Sequence, residues 1–142
     1  MIAKKEKKLS LSKVKTKAWK AFSRYIRLRD CLVTTGTKDY GLCFTCGRKK
    51  HFKELEAGHF VDSRCNAILF EEDGVHAQCH QCNCYKSGNK DAYTPKMIEL
   101  YGLKRVEELQ QQKYTTVVYK IWDYEKIEKE YRDLYNEVYA NN

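Results

Sequence analysis

Hydrophobic side chains near the start of the chain recur every three or four positions, which is the spacing of one face of an α-helix. Ser10 and Ser12 are both suitable N-caps for such a helix. The pattern predicts a basic, flexible arm over residues 1–12 and an N-terminal helix over residues 13–30. The apolar face of this helix consists of Leu11, Val14, Ala18, Phe22, Tyr25 and Ile26.

Helical spacing returns in the last third of the chain and predicts three more helices. Pro95 can occupy the first position of a helix that Thr94 caps and Gly102 ends. A second helix is predicted over residues 104–112 and a third over residues 116–139. A tyrosine-rich side of the last helix indicates a core contact or a contact with a partner helix, and base stacking is the alternative. That side consists of Ile121, Tyr124, Ile127, Tyr131, Leu134 and Val138.

The middle of the chain shows no helical periodicity and contains two short apolar segments. Residues 56–61 and 75–78 predict two strands, and residues 79–87 fit the first turns of a helix. Strands between flanking helices predict an α+β fold.

At 142 residues the chain has the size of one domain. We expect this domain over residues 13–142, with its core in residues 40–90 and its C-terminal helices in residues 93–140. No apolar run is long enough to span a bilayer, and no apolar stretch follows the first lysines as it would in a signal peptide. The sequence therefore predicts a cytoplasmic protein without a membrane partner, in whatever cell makes it.

Two C-x2-C pairs, Cys43/Cys46 and Cys79/Cys82, flank the predicted strands. Such pairs are the sequence form of a four-cysteine zinc site, and Gly47 allows the first turn to close. Most four-cysteine zinc sites are structural, so the cysteines alone favour a binding module over an enzyme. We expect the other three cysteines to be reduced thiols; they are Cys31, Cys65 and Cys84.

The chain has a formal net charge of +8, and its first thirty residues contain eleven lysines and arginines against two acids. Five of these basic residues recur at helical spacing opposite the apolar face: Lys13, Lys17, Lys20, Arg24 and Arg27. A continuous cationic stripe without interleaved acids favours contact with the phosphates of DNA. An ordinary solvated helix face is the alternative.

His59 lies in a predicted strand, and Asn83 directly follows the last paired cysteine. A neutral imidazole can take a proton from water near neutral pH, and an amide oxygen can bind a hard ion such as Mg²⁺. The two residues therefore permit hydrolysis of a phosphodiester, while zinc with four thiolate ligands stays structural. The alternatives are a hydrogen-bonded buried histidine and a helix-capping asparagine.

Several blocks of the sequence resemble the zinc-containing HNH, or His-Me finger, nucleases, and most closely the NinG/Rap phage recombination nucleases. The resemblance runs from about Lys17 to the end of the chain. Its blocks are Lys17-Ala18-Trp19-x2-Phe22-Ser23-x-Tyr25-Ile26-Arg27-Leu28-Arg29-Asp30, Cys43-x2-Cys46, Ala57-Gly58-His59-Phe60, Val75-His76-Ala77-Gln78-Cys79-x2-Cys82-Asn83-x2-Lys86, and Tyr101-Gly102 followed by Val106-x2-Leu109.

The resemblance implies a ββα-metal (HNH) core and an endonuclease that depends on Mg²⁺, with Mn²⁺ as the alternative, and cuts branched DNA such as Holliday junctions and D-loops. It makes His59 the general base, Asn83 a ligand of the catalytic metal and the four paired cysteines the zinc ligands. Arg64 and Lys86 would contact the scissile phosphate or, alternatively, pair with acids. A homodimer and a phage recombinase are further expected partners.

Two positions depart from the family pattern. Gly58 stands where many HNH enzymes have an acidic metal ligand, so Asn83, phosphate and water are expected to hold the metal, with Asp62 as a further candidate. Gly74 stands where the family usually has an asparagine that helps to orient the catalytic histidine, here His59. These departures leave two alternatives: a less selective HNH nickase of phage DNA metabolism or packaging, and a catalytically decayed zinc DNA-binding module.

Overall fold

The computed structural model describes residues 10–62 and 65–142. It has the mixed α+β architecture that the sequence predicts. The helices are α1 (Leu11–Thr35), α2 (Asn66–Leu69), α3 (Lys90–Tyr101), α4 (Leu103–Gln112) and α5 (Ile121–Ala140), and the strands are β1 (Tyr40–Leu42), β2 (Lys49–His51), β3 (Leu55–His59) and β4 (Val75–Cys79). Within the described residues, no helix is long and apolar enough to cross a membrane.

Helix α1 begins earlier and ends later than the sequence pattern predicts. The Ser10 side chain accepts a hydrogen bond from the Lys13 backbone N–H, so residues 10–12 belong to the capped helix; the rest of the predicted arm, residues 1–9, lies outside the described residues. The helix continues past residue 30 because Cys31 is fully buried and prolongs the apolar face. Gly36 ends it with a left-handed backbone (φ 73°).

Two antiparallel hairpins form the centre of the molecule. Strands β1 and β2 make a small hairpin that the sequence pattern does not predict, and residues 43–48 connect them. Strands β3 and β4 make the second hairpin, in which Glu56 lies opposite Gln78 and Gly58 lies opposite His76. The strands at residues 56–61 and 75–78 are therefore confirmed with small shifts at their ends.

One face of the β3–β4 hairpin packs against α1. Val75 and Ala57 contact the cluster around Phe22 and Ile26, and Leu55 and Ala77 contact Cys31 on the same helix. These contacts are apolar. Every second residue of each strand faces α1, and this alternation of apolar residues is the sequence signal that predicts the strands.

A buried carboxylate fixes α1 to β4. Asp30 accepts a hydrogen bond from the Ala77 backbone N–H at 2.7 Å and one from Arg29 Nε at 2.8 Å, and it lies 3.6 Å from His76 Nδ1. Burial alone would raise the pKa of Asp30, but His76 and Arg29 lower it below its ordinary value.

Helix α3 corrects the prediction made from Pro95. The helix begins at Lys90, so Pro95 lies inside it and Thr94 is not its cap. Tertiary contacts outweigh the local cost of the proline, because Tyr93 and Met97 are fully buried and the Tyr93 hydroxyl donates to the Gly58 carbonyl at 2.7 Å. The predicted end at Gly102 is confirmed.

Helix α5 packs along α1 and begins at Ile121, five residues later than predicted. The delay has a local cause: the Asp123 carboxylate accepts the Lys120 backbone N–H at 2.8 Å, which makes Lys120 the N-cap. Tyr124 and Tyr131 are buried against α1. The predicted tyrosine-rich side of the last helix therefore lies in the core of the same chain.

Candidate functional site

The four paired cysteines converge as the sequence predicts. Cys43 and Cys46 come from the β1–β2 turn, which Gly47 closes with a left-handed backbone (φ 75°) and a hydrogen bond from its N–H to the Cys43 carbonyl at 2.9 Å. Cys79 ends β4 and Cys82 follows it. The four sulfur atoms all lie within 4.8 Å of one another.

This arrangement fits a tetrahedral metal ion such as zinc. Zn–S bonds of about 2.3 Å place tetrahedral sulfurs about 3.8 Å apart, and Cys46 Sγ and Cys79 Sγ are 3.8 Å apart. Burial would raise the pKa of Cys43, but the Thr45 hydroxyl and nearby backbone N–H groups lower it to about 6. Burial raises the pKa of Cys46 and raises that of Cys79 to about 12, so Cys43 is the sulfur that favours the thiolate, the form that binds zinc.

After Cys79 the chain makes a single π-helical turn, Gln81–Tyr85. The sequence predicts the first turns of an ordinary helix over residues 79–87, so only the presence of helical turns is confirmed. Asn83 lies in the middle of this turn. A π-turn inserts an extra residue per turn and is frequent at functional sites.

His59 lies at the end of β3 with its ring against α1. The imidazole stacks on the indole of Trp19, with ring centroids 4.9 Å apart, and its Nε2 lies 3.2 Å from the Leu69 carbonyl oxygen. Because a carbonyl only accepts, this hydrogen bond requires a proton on Nε2 and makes Nδ1 the basic nitrogen of the neutral ring. Trp19 and the Leu69 carbonyl orient the ring. Gly74, which aligns with the asparagine that orients the histidine in the family, instead uses its carbonyl to accept the Phe60 backbone N–H.

Asn83 is oriented by Glu56, a residue that the sequence pattern does not single out. Asn83 Nδ2 donates to Glu56 Oε1 at 2.8 Å. Since the carboxylate can only accept, the amide oxygen of Asn83 must point away from Glu56, and it lies beside Gly58. The alternation along β3 is the signal that could have found Glu56, because it places Glu56 on the same face as Gly58.

Gln78 lies beside Asn83 and is fully buried. Its Nε2 donates to Thr45 Oγ1 at 3.0 Å and to the Gly88 carbonyl at 2.8 Å, so its Oε1 faces Gly58. Within the described part of the chain, this oxygen is the one buried side-chain polar atom that has no hydrogen-bond partner.

The space in front of Gly58 is therefore already filled. A Cβ at this position would overlap Gln78 Oε1 and would lie 3.0 Å from Asn83 Oδ1. Two amide oxygens thus flank the point where an acidic side chain at position 58 would begin. The glycine is the residue that lets Gln78 reach this point.

His59 and Asn83 line one pocket of about 250 Å³ on the surface of the hairpin. Asp62 and Lys90 line it as well. Lys90 Nζ donates to the carbonyls of His59 and Phe60, both at 2.6 Å, and pairs with Asp62 at 3.2 Å. Burial lowers the pKa of Lys90, while Asp62 acts in the opposite direction. Lys90 is a residue of the pocket that the sequence pattern does not single out.

The predicted cationic stripe on α1 is divided in the structure. Lys13, Lys17 and Lys20 are exposed. In contrast, the Arg24 guanidinium lies 3.9 Å from the ring centroid of Tyr135, and that of Arg27 lies 4.6 Å from the ring centroid of Phe52. The stripe is therefore not continuous, because aromatic rings from other elements cover its second half.

Two further predicted DNA contacts lie elsewhere. Lys86 is exposed and follows the π-turn. Arg64 lies outside the described residues.

The family model described as "NinG: Bacteriophage Lambda NinG protein" matches residues 2–140. The chain belongs to the NinG family. The predicted resemblance to NinG proteins is thereby confirmed, and the HNH nuclease character stays a prediction.

Individual NinG relatives share a shorter segment with this chain. Protein ninG of Salmonella phage P22 is 33% identical over 69 residues, which cover 48% of this chain and 34% of that protein. Protein ninG of Escherichia phage lambda is 32% identical over 69 residues, which cover 48% of this chain and 33% of that protein. The matched segment thus spans about a third of the length of these curated relatives. No solved structure matches the chain.

Proposed function

We propose that this protein is a metal-dependent DNA endonuclease that cuts branched recombination intermediates by hydrolysing phosphodiester bonds. The observation that carries the proposal is the shared pocket of His59 and Asn83, held beside the four-cysteine cluster. Membership of the NinG family supports a phage context. The preference for Holliday junctions and D-loops rests on the resemblance to recombination nucleases.

His59 would act as the general base. With Nε2–H bonded to the Leu69 carbonyl, Nδ1 can accept a proton from a water molecule that attacks the phosphorus. Stacking on Trp19 restricts the rotation of the ring. A fixed ring lowers the entropy that must be lost when water, base and phosphate align.

Oxygen ligands for a catalytic Mg²⁺ are present in and beside the pocket. Asn83 Oδ1 and the unpartnered Gln78 Oε1 flank the same point in front of Gly58, and Asp62 offers a carboxylate on the pocket wall. Mg²⁺ prefers such oxygen ligands and retains several waters. When bound, it would neutralise the negative charge that develops on the leaving 3′ oxygen.

Basic residues around the pocket would hold the DNA backbone. Lys90 adds positive charge to the pocket while its N–H groups are held by the His59 and Phe60 carbonyls and by Asp62, and the exposed Lys13, Lys17 and Lys20 form a separate cationic row on α1 that would contact phosphates. Such contacts fix the position of the DNA without reading its sequence. Selection of branched DNA would then depend on shape.

A cleavage panel tests this proposal. Purified protein would be incubated with four-way junction, flap, D-loop and linear duplex of matched sequence, with Mg²⁺ and with a chelator. We expect junction and D-loop to be nicked faster than duplex, and only in the presence of the metal. Equal cutting of all substrates would leave a less selective nickase and remove the branched-DNA specificity.

One observation favours a second candidate, a zinc DNA-binding module without catalysis. The position before His59 is a glycine, and the two oxygens that flank it belong to neutral amides. Neutral ligands bind Mg²⁺ less strongly than carboxylates do. Tight junction binding with no turnover under Mg²⁺ or Mn²⁺ would support this candidate and contradict the endonuclease.

A further inference from the structure

Three side chains of different chemistry meet on the outer side of the β3–β4 hairpin, apart from the four-cysteine cluster. Glu56 Oε2 lies 2.6 Å from His80 Nδ1, and Cys84 Sγ donates to Glu56 Oε1 at 3.4 Å. One ligand atom from each residue lies within 4.8 Å of those of the other two. A carboxylate, an imidazole and a thiol therefore converge on one point.

The hydrogen atoms in this cluster occupy positions that a metal ion can take. An imidazole N–H and a thiol S–H both point at oxygens of the same carboxylate. Zn–O and Zn–N bonds of about 2.0 Å and a Zn–S bond of about 2.3 Å require ligand atoms roughly 3–4 Å apart. The observed distances need only small side-chain rotations to reach this range.

The local backbone explains why His80 and Cys84 point the same way. They are four residues apart, at the start and within the π-turn Gln81–Tyr85, so both side chains project toward β3. Glu56 completes the set from the neighbouring strand. The His80 and Glu56 side chains are 58% and 36% exposed, which leaves the fourth coordination position open to water.

We propose that Glu56, His80 and Cys84 form a second metal site, which takes a transition-metal ion such as Zn²⁺. Sulfur and nitrogen ligands select such an ion over Mg²⁺. The site has the composition of an open centre with three protein ligands and one water. It is separate from the proposed Mg²⁺ ligands, and it shares only the contact between Glu56 and Asn83.

Cobalt titration of the full chain tests this proposal. Protein that carries one equivalent of Zn²⁺ would be titrated with Co²⁺ in excess Mg²⁺, because Zn²⁺ binds more tightly than Co²⁺ and keeps the four-cysteine cluster filled. We expect a second equivalent to bind and to produce a thiolate-to-cobalt charge-transfer band. Equilibrium dialysis would give the stoichiometry without DNA or turnover.

His80→Ala and Cys84→Ser should each weaken binding of the second equivalent and leave the first in place. Loss of a residue that hydrogen-bonds to a metal ligand lowers metal affinity by roughly 10–100-fold. Loss of a direct ligand should lower it at least as much. Glu56 stays unchanged, because it also contacts Asn83.

His51→Ala and Cys65→Ser are matched controls, since they remove the same side chains away from the cluster. Both should bind the second equivalent like wild type, and circular dichroism should show the same fold for all variants. Saturation at one equivalent in the wild type, or a second equivalent that survives both His80→Ala and Cys84→Ser, would overturn the proposal.

Discussion

The β3–β4 hairpin presents two different faces to the rest of the molecule. The face toward α1 is apolar and dry, with Leu55, Val75 and Ala77 almost completely buried. The opposite face carries Glu56 and Gln78 and lies against the π-turn that holds Asn83. Both faces belong to the same ladder of backbone hydrogen bonds, so the contrast arises from the side chains alone.

The two faces differ in how well their polar groups are satisfied. On the α1 side, Asp30 is the buried charge, and it has several hydrogen-bond partners. On the other side, Gln78 Oε1 is buried with no partner among the described residues. A buried polar atom without a partner costs stability and does not help the fold. Under the proposed function this oxygen is a candidate ligand of the metal ion, whereas the polar group on the α1 side has its partners within the fold.

Loss of the four-cysteine metal should have the largest effect, because the cluster joins the two hairpins and supports both faces. Cys82→Ser should abolish cooperative thermal unfolding, since structural zinc contributes about 10–16 kcal/mol in small zinc domains. Circular dichroism melts with metal analysis would measure this. Cys65→Ser is the control, because that thiol lies outside the four-cysteine cluster and outside the proposed site of Glu56, His80 and Cys84. A variant without metal that still melts like wild type would show that the cluster is not structural.

The apolar face is tested through Asp30. We expect Asp30→Asn to lower the free energy of unfolding by about 1.5–3 kcal/mol near neutral pH, the range for hydrogen bonds to a charged group. Urea unfolding would measure this, with the exposed Asp39→Asn as the matched control.

The pH dependence of this effect has a defined sign. The folded-state pKa of Asp30 is lowered, so its stabilisation is present above the unfolded value of about 3.9 and is lost as pH falls through the folded value. The difference between wild type and Asp30→Asn should therefore shrink in acid. A difference that stays constant down to about pH 2 would contradict the assigned pKa shift.

The polar face is tested through Gly58 and Gln78. Gly58→Ala places a Cβ on Gln78 Oε1 and should destabilise the fold by about 1–3 kcal/mol, as overpacking does. Gln78→Ala should relieve part of this cost in the double variant, and a double-mutant cycle would measure the coupling. Strict additivity of the two changes would mean that the residues do not compete for the same space.

Substitutions on the surface of α1 should have the smallest effect on stability, and their effect on DNA binding should grow with the number of charges reversed. Reversing the charges of Lys13, Lys17 and Lys20 should reduce the slope of log K against log salt by up to about one unit for each lost phosphate contact. Reversal of Arg24, which lies on the Tyr135 ring, should change the slope less. Equal slopes for the wild type and the triple variant would mean that DNA does not contact this surface of α1.

The sequence predicts the elements whose signals are local. The C-x2-C pairs predict the four-cysteine cluster, and periodicity predicts the apolar side of α1 and the two strands of the second hairpin. Pro95 misleads because burial of Tyr93 and Met97, which depends on the whole fold, decides where α3 begins.

The candidate site is predicted only in part. His59 and Asn83 stand out by type and position, and the structure places both at one pocket. The roles of Glu56 and Gln78 depend on strand register and on amide orientation, which the sequence does not reveal. In the sequence, Gly58 indicates that an acidic metal ligand is missing. In the structure, the Gln78 side chain occupies the space where a side chain at position 58 would begin.

The most direct test of the polar face as an active site is single-turnover cleavage of a four-way junction in Mg²⁺ by wild type, His59→Ala and Asn83→Ala. We expect His59→Ala to slow cleavage by about 10²–10⁴-fold, the range for loss of a general base, and Asn83→Ala to slow it through loss of a Mg²⁺ ligand, while melting temperature and zinc content stay unchanged. Cleavage at the wild-type rate by either folded variant would contradict the assignment of His59 and Asn83 to catalysis.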